Sequence, residues 1–162
     1  MSHVRRLRAE DLPGASDLIR NTLLVSNLRD YDLKVILELS ASFSEAEIRA
    51  LAGRRELFVY EDKGRLLAVV GLEGTGVYNF FVAPDCQGRG VGRALLGFVE
   101  ELALRRGIQE LHLSSSLTAV GFYERLGYRR TGAENDGRYG RTVEMIKPLQ
   151  RPAAPPDRVS RR

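Results

Sequence analysis

Gly88, Gly90 and Gly92 alternate with Arg89, Val91 and Arg93, where a strand-like run ending at Val82 hands over to a helical one. Three missing side chains at such a junction let backbone N–H groups approach an anion closely. The first turn of the helix adds its partial positive charge, and Arg89 and Arg93 add ionic contacts suited to phosphate. Two phosphate-loop patterns fit poorly. The nicotinamide-type Gly-x-Gly-x-x-Gly needs a glycine where Arg93 stands, and a Walker-type loop needs Gly-Lys-Ser/Thr where Gly92-Arg93-Ala94 stands. A loop that uses its glycines for geometry alone remains the alternative to an anion cradle.

Other reactive side chains nearby are few. Cys86 precedes the loop, where Arg89 and a helix terminus favour a thiolate, but no histidine close in sequence would activate it. It is the single cysteine, which excludes an internal disulfide and a Cys-based zinc cluster. With His3 and His112 the only histidines, no metal is expected.

The elements that must position this loop follow from periodicity. A short strand over Val4 to Arg8 precedes a helix from about Leu12 to Leu24, with Leu12, Ala15, Ile19 and Leu23 near one face. Pro13 is tolerated in its first turn. A polar hinge, Ser26 to Asp30, leads to a second helix through Val35, Ile36 and Leu39. Ser44-Glu45-Ala46-Glu47 has capping-box spacing for a third helix to about Ala52.

From there the period changes. Leu57 to Glu61, Arg65 to Leu72 and Val77 to Val82 read as an antiparallel meander, with Asp62-Lys63-Gly64 as the first turn. Val91, Leu95, Phe98 and Leu102 give the helix after the glycine loop an apolar face, and Gly107 stops it. A strand over Glu110 to Leu113 and a short helix over Ala119 to Leu126, ended by Gly127, come next. Tyr128 to Thr131 and Thr142 to Ile146 form a last strand pair around a flexible loop, Gly132 to Gly140. The order is β-α-α-α-β-β-β-α-β-α-β-β, without internal repeat.

The run Val82-Ala83-Pro84-Asp85-Cys86-Gln87-Gly88-Arg89-Gly90-Val91-Gly92-Arg93-Ala94-Leu95-Leu96 resembles the acetyl-CoA signature of the GCN5-related N-acetyltransferase (GNAT) superfamily, Gln/Arg-x-x-Gly-x-Gly/Ala. Ala119-Val120-Gly121-Phe122-Tyr123-Glu124-Arg125-Leu126-Gly127-Tyr128 is similar to its Ala-x-x-Phe-Tyr-Glu-Lys-Leu-Gly-Phe segment. The element order agrees over residues 3–149, the specific motifs falling within 80–130. The resemblance implies an α/β (α+β) domain: a mostly antiparallel, twisted central sheet with helices on both faces. It opens in a V where the strand at 77–82 splays from that at 109–115. The implied reaction is transfer of the acetyl group of acetyl-CoA to a primary amine of a small molecule or peptide, by direct attack on the thioester.

Roles carry over position by position. Phe81 and Val82 would pair with the pantetheine arm. Gln87, Gly88, Arg89, Gly90, Val91 and Gly92, with Arg93, would hold the pyrophosphate. Tyr123 matches the tyrosine that protonates the departing thiolate, a task suited to a phenol that stays protonated near neutrality. As a core aromatic beside Phe122 it would need no such role. Ser116 stands where many relatives carry an asparagine at the pantetheine. A simpler reading makes the Ser/Thr run 114–118 an N-cap for the next helix. Leu111 stands where some relatives place a glutamate base. Glu73, Tyr78 and His112 are the remaining candidates, and Glu73, also readable as a surface carboxylate, is the one carried forward. Asn27, Asp30 and Tyr31 fall in the region that shapes the acceptor site, with Asp30 suited to a cationic amine.

A chain of 162 residues, 43% hydrophobic and 28% charged, is expected to build one domain, residues 1–149. Residues 150–162 read as a disordered Pro/Arg-rich tail. That tail holds Arg151, Arg158, Arg161 and Arg162 against Asp157, which accounts for most of the net charge of +4. The body is near neutral, so no nucleic-acid partner is expected. No apolar run suits a membrane span or signal peptide, which makes the cytoplasm the expected compartment. The resemblance leaves room for a homodimer, for a longer acyl group, and for a sensor that binds acetyl-CoA without turnover.

Overall fold

Element boundaries fall where the sequence supplies caps and turns. The computed structural model describes residues 1–137 and 140–150, so most of the segment read as a tail lies outside the described residues. The strands are β1 (Ser2–Arg6), β2 (Glu56–Asp62), β3 (Arg65–Glu73), β4 (Gly76–Val82), β5 (Glu110–Ser116), β6 (Arg129–Gly137) and β7 (Gly140–Pro148). The α-helices are α1 (Leu12–Ser26), α2 (Leu33–Ala41), α3 (Glu45–Arg54), α4 (Val91–Arg105) and α5 (Val120–Arg125).

Local chemistry explains these limits. Lys63 and Gly64 take φ of 49° and 77°, the two positive values that a tight two-residue hairpin between β2 and β3 requires. Ser44 Oγ accepts the Glu47 N–H at 3.3 Å and starts α3 where its spacing predicts. At the end of α4, Ile108 N–H bonds the Ala103 carbonyl and Gly107 N–H that of Leu104, the paired bonds that a left-handed residue after a helix makes. Tyr128 and Gly127 repeat the pattern after α5.

The strands form one sheet in the order β1-β2-β3-β4-β5-β7-β6. Every neighbouring pair is antiparallel except β4 and β5. Helices cover both faces. Phe81 of β4 meets Phe43, between α2 and α3, with ring centroids 5.4 Å apart. Phe58 of β2 meets Phe98 of α4 at 5.3 Å. Phe58 lies opposite Val70 and Phe81 opposite Val69, so these contacts are on opposite faces. Leu57 to Val59 and Ala68 to Val70 are consequently buried at consecutive positions, as strands covered on both sides require.

Three expectations change. The first strand lies two residues earlier than read, because Arg8 already belongs to the turn that Asp11 organises: Asp11 Oδ2 accepts the Arg8 N–H at 2.7 Å. The loop expected from Gly132 to Gly140 is strand as far as Gly137, with an irregular register between Arg130 and Glu134. Every β6 residue is exposed, so no apolar alternation marked it. Ser114 to Ser116 belong to β5, and Ser116 makes no side-chain cap bond to the following 3-10 turn, Leu117–Ala119. Among the described residues no helix is long and apolar enough to cross a membrane.

Asp11 is 8% exposed and fixes the entry to α1. It takes two bonds from Arg5, at 2.7 and 2.9 Å, and Arg5 Nε also donates to Glu61 at 2.6 Å. The Arg5 guanidinium holds the Asp11 carboxyl below its ordinary pKa of 3.8. The folded state therefore binds that proton less tightly than the unfolded chain. The resulting stability is complete above about pH 4 and fades as pH falls through the lower folded value. Asp11→Asn is expected to cost about 2 kcal/mol at pH 7. Thermal unfolding of the two proteins followed downward from pH 7 should converge below pH 4, and a constant gap would contradict this account.

Candidate functional site

The parallel pairing of β4 with β5 is confined to Gly76 opposite His112, supported by His112 N–H to the Thr75 carbonyl at 3.0 Å. Beyond it the strands part. Val69 lies opposite Phe81 and Gly71 opposite Tyr78, so β4 spends one residue more than β3 over this stretch. Such a bulge bends its strand, and Asn79 within it takes a φ of 51°. The β4 edge facing β5 is left without a strand partner after Gly76.

A cavity of about 740 Å³ fills the gap, within the range that holds one small ligand. β4 from Val77 to Val82 forms one wall. Leu113, Ser114 and Ser116 of β5 form part of the other, and Phe122, Tyr123 and Arg125 of α5 reach in beside them. Thr22, Ser26 and Asn27 at the end of α1 close a third side.

The glycine loop lies at one end. Gly88 and Gly90 take φ of 75° and 83°, with nothing within 4 Å of where a Cβ would stand, so the space beside their Cα atoms is open. Gly92 is the opposite case. A Cβ there would lie 3.0 Å from Val82 Cγ2 and 3.2 Å from the Phe80 and Phe122 rings, so its absence brings the start of α4 against β4 and α5. Gln87 Nε2 donates to the Val82 carbonyl at 3.1 Å and to Ser26 Oγ at 3.0 Å, tying the loop to both β4 and α1.

Tyr123 is 6% exposed within an aromatic group, its ring centroid 5.9 Å from Phe80, 5.4 Å from Phe122 and 5.6 Å from Tyr128. Burial pushes its phenol well above the ordinary value of 10, so the hydroxyl is protonated at neutral pH. Among the described residues no hydrogen-bond partner meets that hydroxyl. A buried tyrosine normally finds one, and here the cavity is the place left for it.

Of the residues expected at a cofactor, Phe81, Val82, Gln87, Gly88, Gly90, Gly92, Arg93 and Ser116 line the cavity. Arg89 is exposed beside it, and Val91 is buried in the core. Asn27 lines the cavity, whereas Asp30 and Tyr31 are engaged elsewhere. Asp30 Oδ2 accepts from Thr118 Oγ1 at 2.7 Å. Tyr31 OH donates to the Arg141 carbonyl at 2.6 Å and accepts from Leu117 N–H at 2.8 Å. These bonds strap the α1–α2 connection to the end of β5. Glu73 is not among the lining residues; it pairs with Arg55 at 3.1 Å.

The sequence reading missed Arg125, Asn79, and Ser114 with its partner Glu144. Ser114 Oγ donates to Glu144, whose carboxylate also accepts from Asn135 Nδ2 at 2.8 Å. Only the β5–β7 register joins that pair, so no local pattern could have marked it. Arg125 stands one turn after Gly121, in the segment already singled out around Tyr123. In a second cavity, Arg5, Asp11 and Glu61 pair with one another. Among the described residues no group of three or more His, Cys, Asp or Glu could hold a metal.

An acetyltransferase (GNAT) domain family matches residues 28–149. The S-(2-succino)cysteine N-acetyltransferase of Bacillus subtilis is 30% identical, with 79% of this chain and 89% of that protein covered. A GCN5-related N-acetyltransferase from Rhodopseudomonas palustris superposes with a TM-score of 0.84 at 22% identity, over 92% of this chain and 96% of that one. The PaiA N-acetyltransferase from Thermoplasma acidophilum, solved in complex with coenzyme A, gives 0.74 at 17% identity, over 91% and 99%.

Cys86 is 2% exposed, and burial pushes its thiol above the ordinary value. It is thus a packing residue beneath the loop, not a nucleophile. A disulfide reagent at pH 7 should label the native protein at least about 100-fold more slowly than the guanidinium-unfolded chain. Equal rates would show the thiol to be accessible.

Proposed function

The chain belongs to the GNAT acetyltransferase family, and we propose that its cavity seats acetyl-CoA along β4, with the pyrophosphate over Gln87–Gly92 and the pantetheine arm beside Phe81 and Val82. The protein is an N-acetyltransferase that uses acetyl-CoA, with a primary amine of a small molecule or a peptide as acceptor. The observation that carries the site reading is the meeting, in one cavity, of a strand edge without a strand partner, a glycine loop with open space at Gly88 and Gly90, and a phenol with no hydrogen-bond partner among the described residues.

The residues present fit the ligand. The positive φ values of Gly88 and Gly90, beside the start of a 15-residue helix, suit a loop that turns backbone N–H groups toward an anion. Arg93 and Arg125, both at the cavity, supply guanidinium groups for phosphate oxygens. The free β4 edge offers amide and carbonyl groups to an arm that hydrogen-bonds like a strand.

Bound acetyl-CoA supplies a thioester open to attack by the amine. The walls of β4 and α1 align the two reactants, which is the main contribution required of them. Backbone N–H groups near Phe81 and Val82 steady the carbonyl oxygen as negative charge grows on it. Tyr123 gives its hydroxyl proton to the departing sulfur and regains one from the acetylated nitrogen or from solvent. Asn27, and the connection that Asp30 and Tyr31 fasten, border the side from which the amine enters. The Bacillus relative bears the name of an amino-acid derivative as its acceptor, which makes small amino-acid amines the first class to screen.

Thermal unfolding with acetyl-CoA, CoA and ATP titrated separately tests the cofactor. Either CoA species at 100 times its dissociation constant should stabilise by about 2.7 kcal/mol, and ATP should not. With an acceptor in hand, Tyr123→Phe should lower kcat by about 10²-fold or more while keeping the CoA-induced shift. A binding module without turnover would be indifferent to that substitution. No shift at millimolar CoA would reduce the glycine loop to a turn.

A further inference from the structure

Arg55, between α3 and β2, is set deep against the sheet. Its side chain is 14% exposed, and Nε is buried without a hydrogen-bond partner. Nη1 donates to Asn79 Oδ1 at 2.8 Å, Nη2 pairs with Glu73 at 3.1 Å, and the guanidinium carbon stands 4.2 Å from the Tyr78 ring centroid. Stability alone does not account for this arrangement. An apolar side chain of similar length would fill the space beside Leu57 and Gly71 without burying a charge or orphaning a donor.

Its three partners surround the β4 bulge. Asn79 holds the left-handed φ of 51°, a conformation that asparagine tolerates better than other side-chain residues but that still lies above extended backbone in energy. Tyr78 folds back over Gly76, where a Cβ would lie 2.5 Å from the ring, so Gly76, Tyr78 and Arg55 form one stack. Glu73 lies opposite Gly76 in the β3–β4 register. One guanidinium thus grips both the last point at which β4 touches β5 and the residue at which it turns away.

We propose that Arg55 is a positioning residue: its guanidinium locks the Tyr78–Asn79 bulge and so fixes the direction of the β4 edge at residues 80–82. The consequence for catalysis rests on the reading of that edge as the acetyl-CoA seat. Glu73 then serves to orient Arg55, which explains a carboxylate placed at the bulge and outside the cavity. Release of the clamp lets Asn79 relax toward negative φ, and every backbone group after it swings.

The test is a double-mutant cycle on the full chain with Arg55→Met, Asn79→Ala and both. Three readouts are used: steady-state kinetics in acetyl-CoA, the CoA-induced thermal shift, and hydrogen exchange over residues 76–82. Each single change is expected to lower kcat about 10-fold or more, with a smaller change in KM, because misalignment acts on the reacting geometry. The double variant should be no worse than either single one, since both break the same contact. Exchange over residues 76–82 should rise in Arg55→Met even where thermal stability is kept. Multiplying effects, or wild-type kinetics in Arg55→Met, overturn the proposal. If Arg55→Met does not fold, Arg55→Lys, which retains the charge over Tyr78 but not both hydrogen bonds, takes its place with smaller effects of the same sign. Should the wild type neither bind CoA nor turn over, the cofactor reading fails, and unchanged exchange over residues 76–82 in the Arg55 variant overturns the clamp by itself.

Discussion

A continuous sheet has no room for a ligand between its strands, because adjacent backbones approach to about 5 Å to share hydrogen bonds. Here that continuity is broken at one place. The extra residue that β4 carries against β3 bends it away from β5 after a single shared position. The rest of the candidate site depends on this divergence. It frees a row of backbone groups and opens the cavity. It also sets the end of β4 beside the loop that begins α4.

The cost of an open seam is met by packing on both sides of it. Phe80 and Phe122 stack, and Tyr123 and Tyr128 pack tilted or edge-on beside them, on the α4 and α5 side. Gly92 lets the start of α4 close onto that group without a gap. Burial in the same packing pushes the Tyr123 phenol pKa up, so it keeps its proton at neutral pH. On the other face, the Asp30 and Tyr31 bonds hold the α1–α2 connection across the seam, from the end of β5 to the start of β7. The cavity is therefore bounded by groups that are each fixed by a neighbour, which is the condition for aligning two reactants.

Buried charge is used sparingly and in two different ways. Asp11 with Arg5 is fully paired and fastens the first strand to the first helix. Arg55 is incompletely satisfied, and its contacts lie on a strained residue at the edge of the site. The first arrangement serves the fold, whereas the second spends stability on a local backbone geometry.

Most of the fold and half of the site were legible in the sequence because they rest on short-range chemistry. Helical and strand periods, the Ser44 cap, the Gly107 and Gly127 stops and the Lys63-Gly64 turn each act within a few residues. The glycine loop and Tyr123 also belong to compact segments whose likeness to a family is carried by adjacent residues. The strand expected over Tyr128 to Thr131 runs on to Gly137 as β6, an extension left unmarked because all of its side chains are exposed and leave no alternation to read. The contacts of Arg55 with Asn79, of Ser114 with Glu144 and of Asp30 with Thr118 join residues 24, 30 and 88 positions apart. Strand register and helix packing alone bring them together. The sequence by itself thus determined most of the elements and which two segments, the glycine loop and the one around Tyr123, carry the family likeness. The tertiary structure decided which strand edge is free, which carboxylates are committed to partners, and which distant residues meet at the β4 bulge, because those contacts depend on register and packing and not on neighbours in sequence.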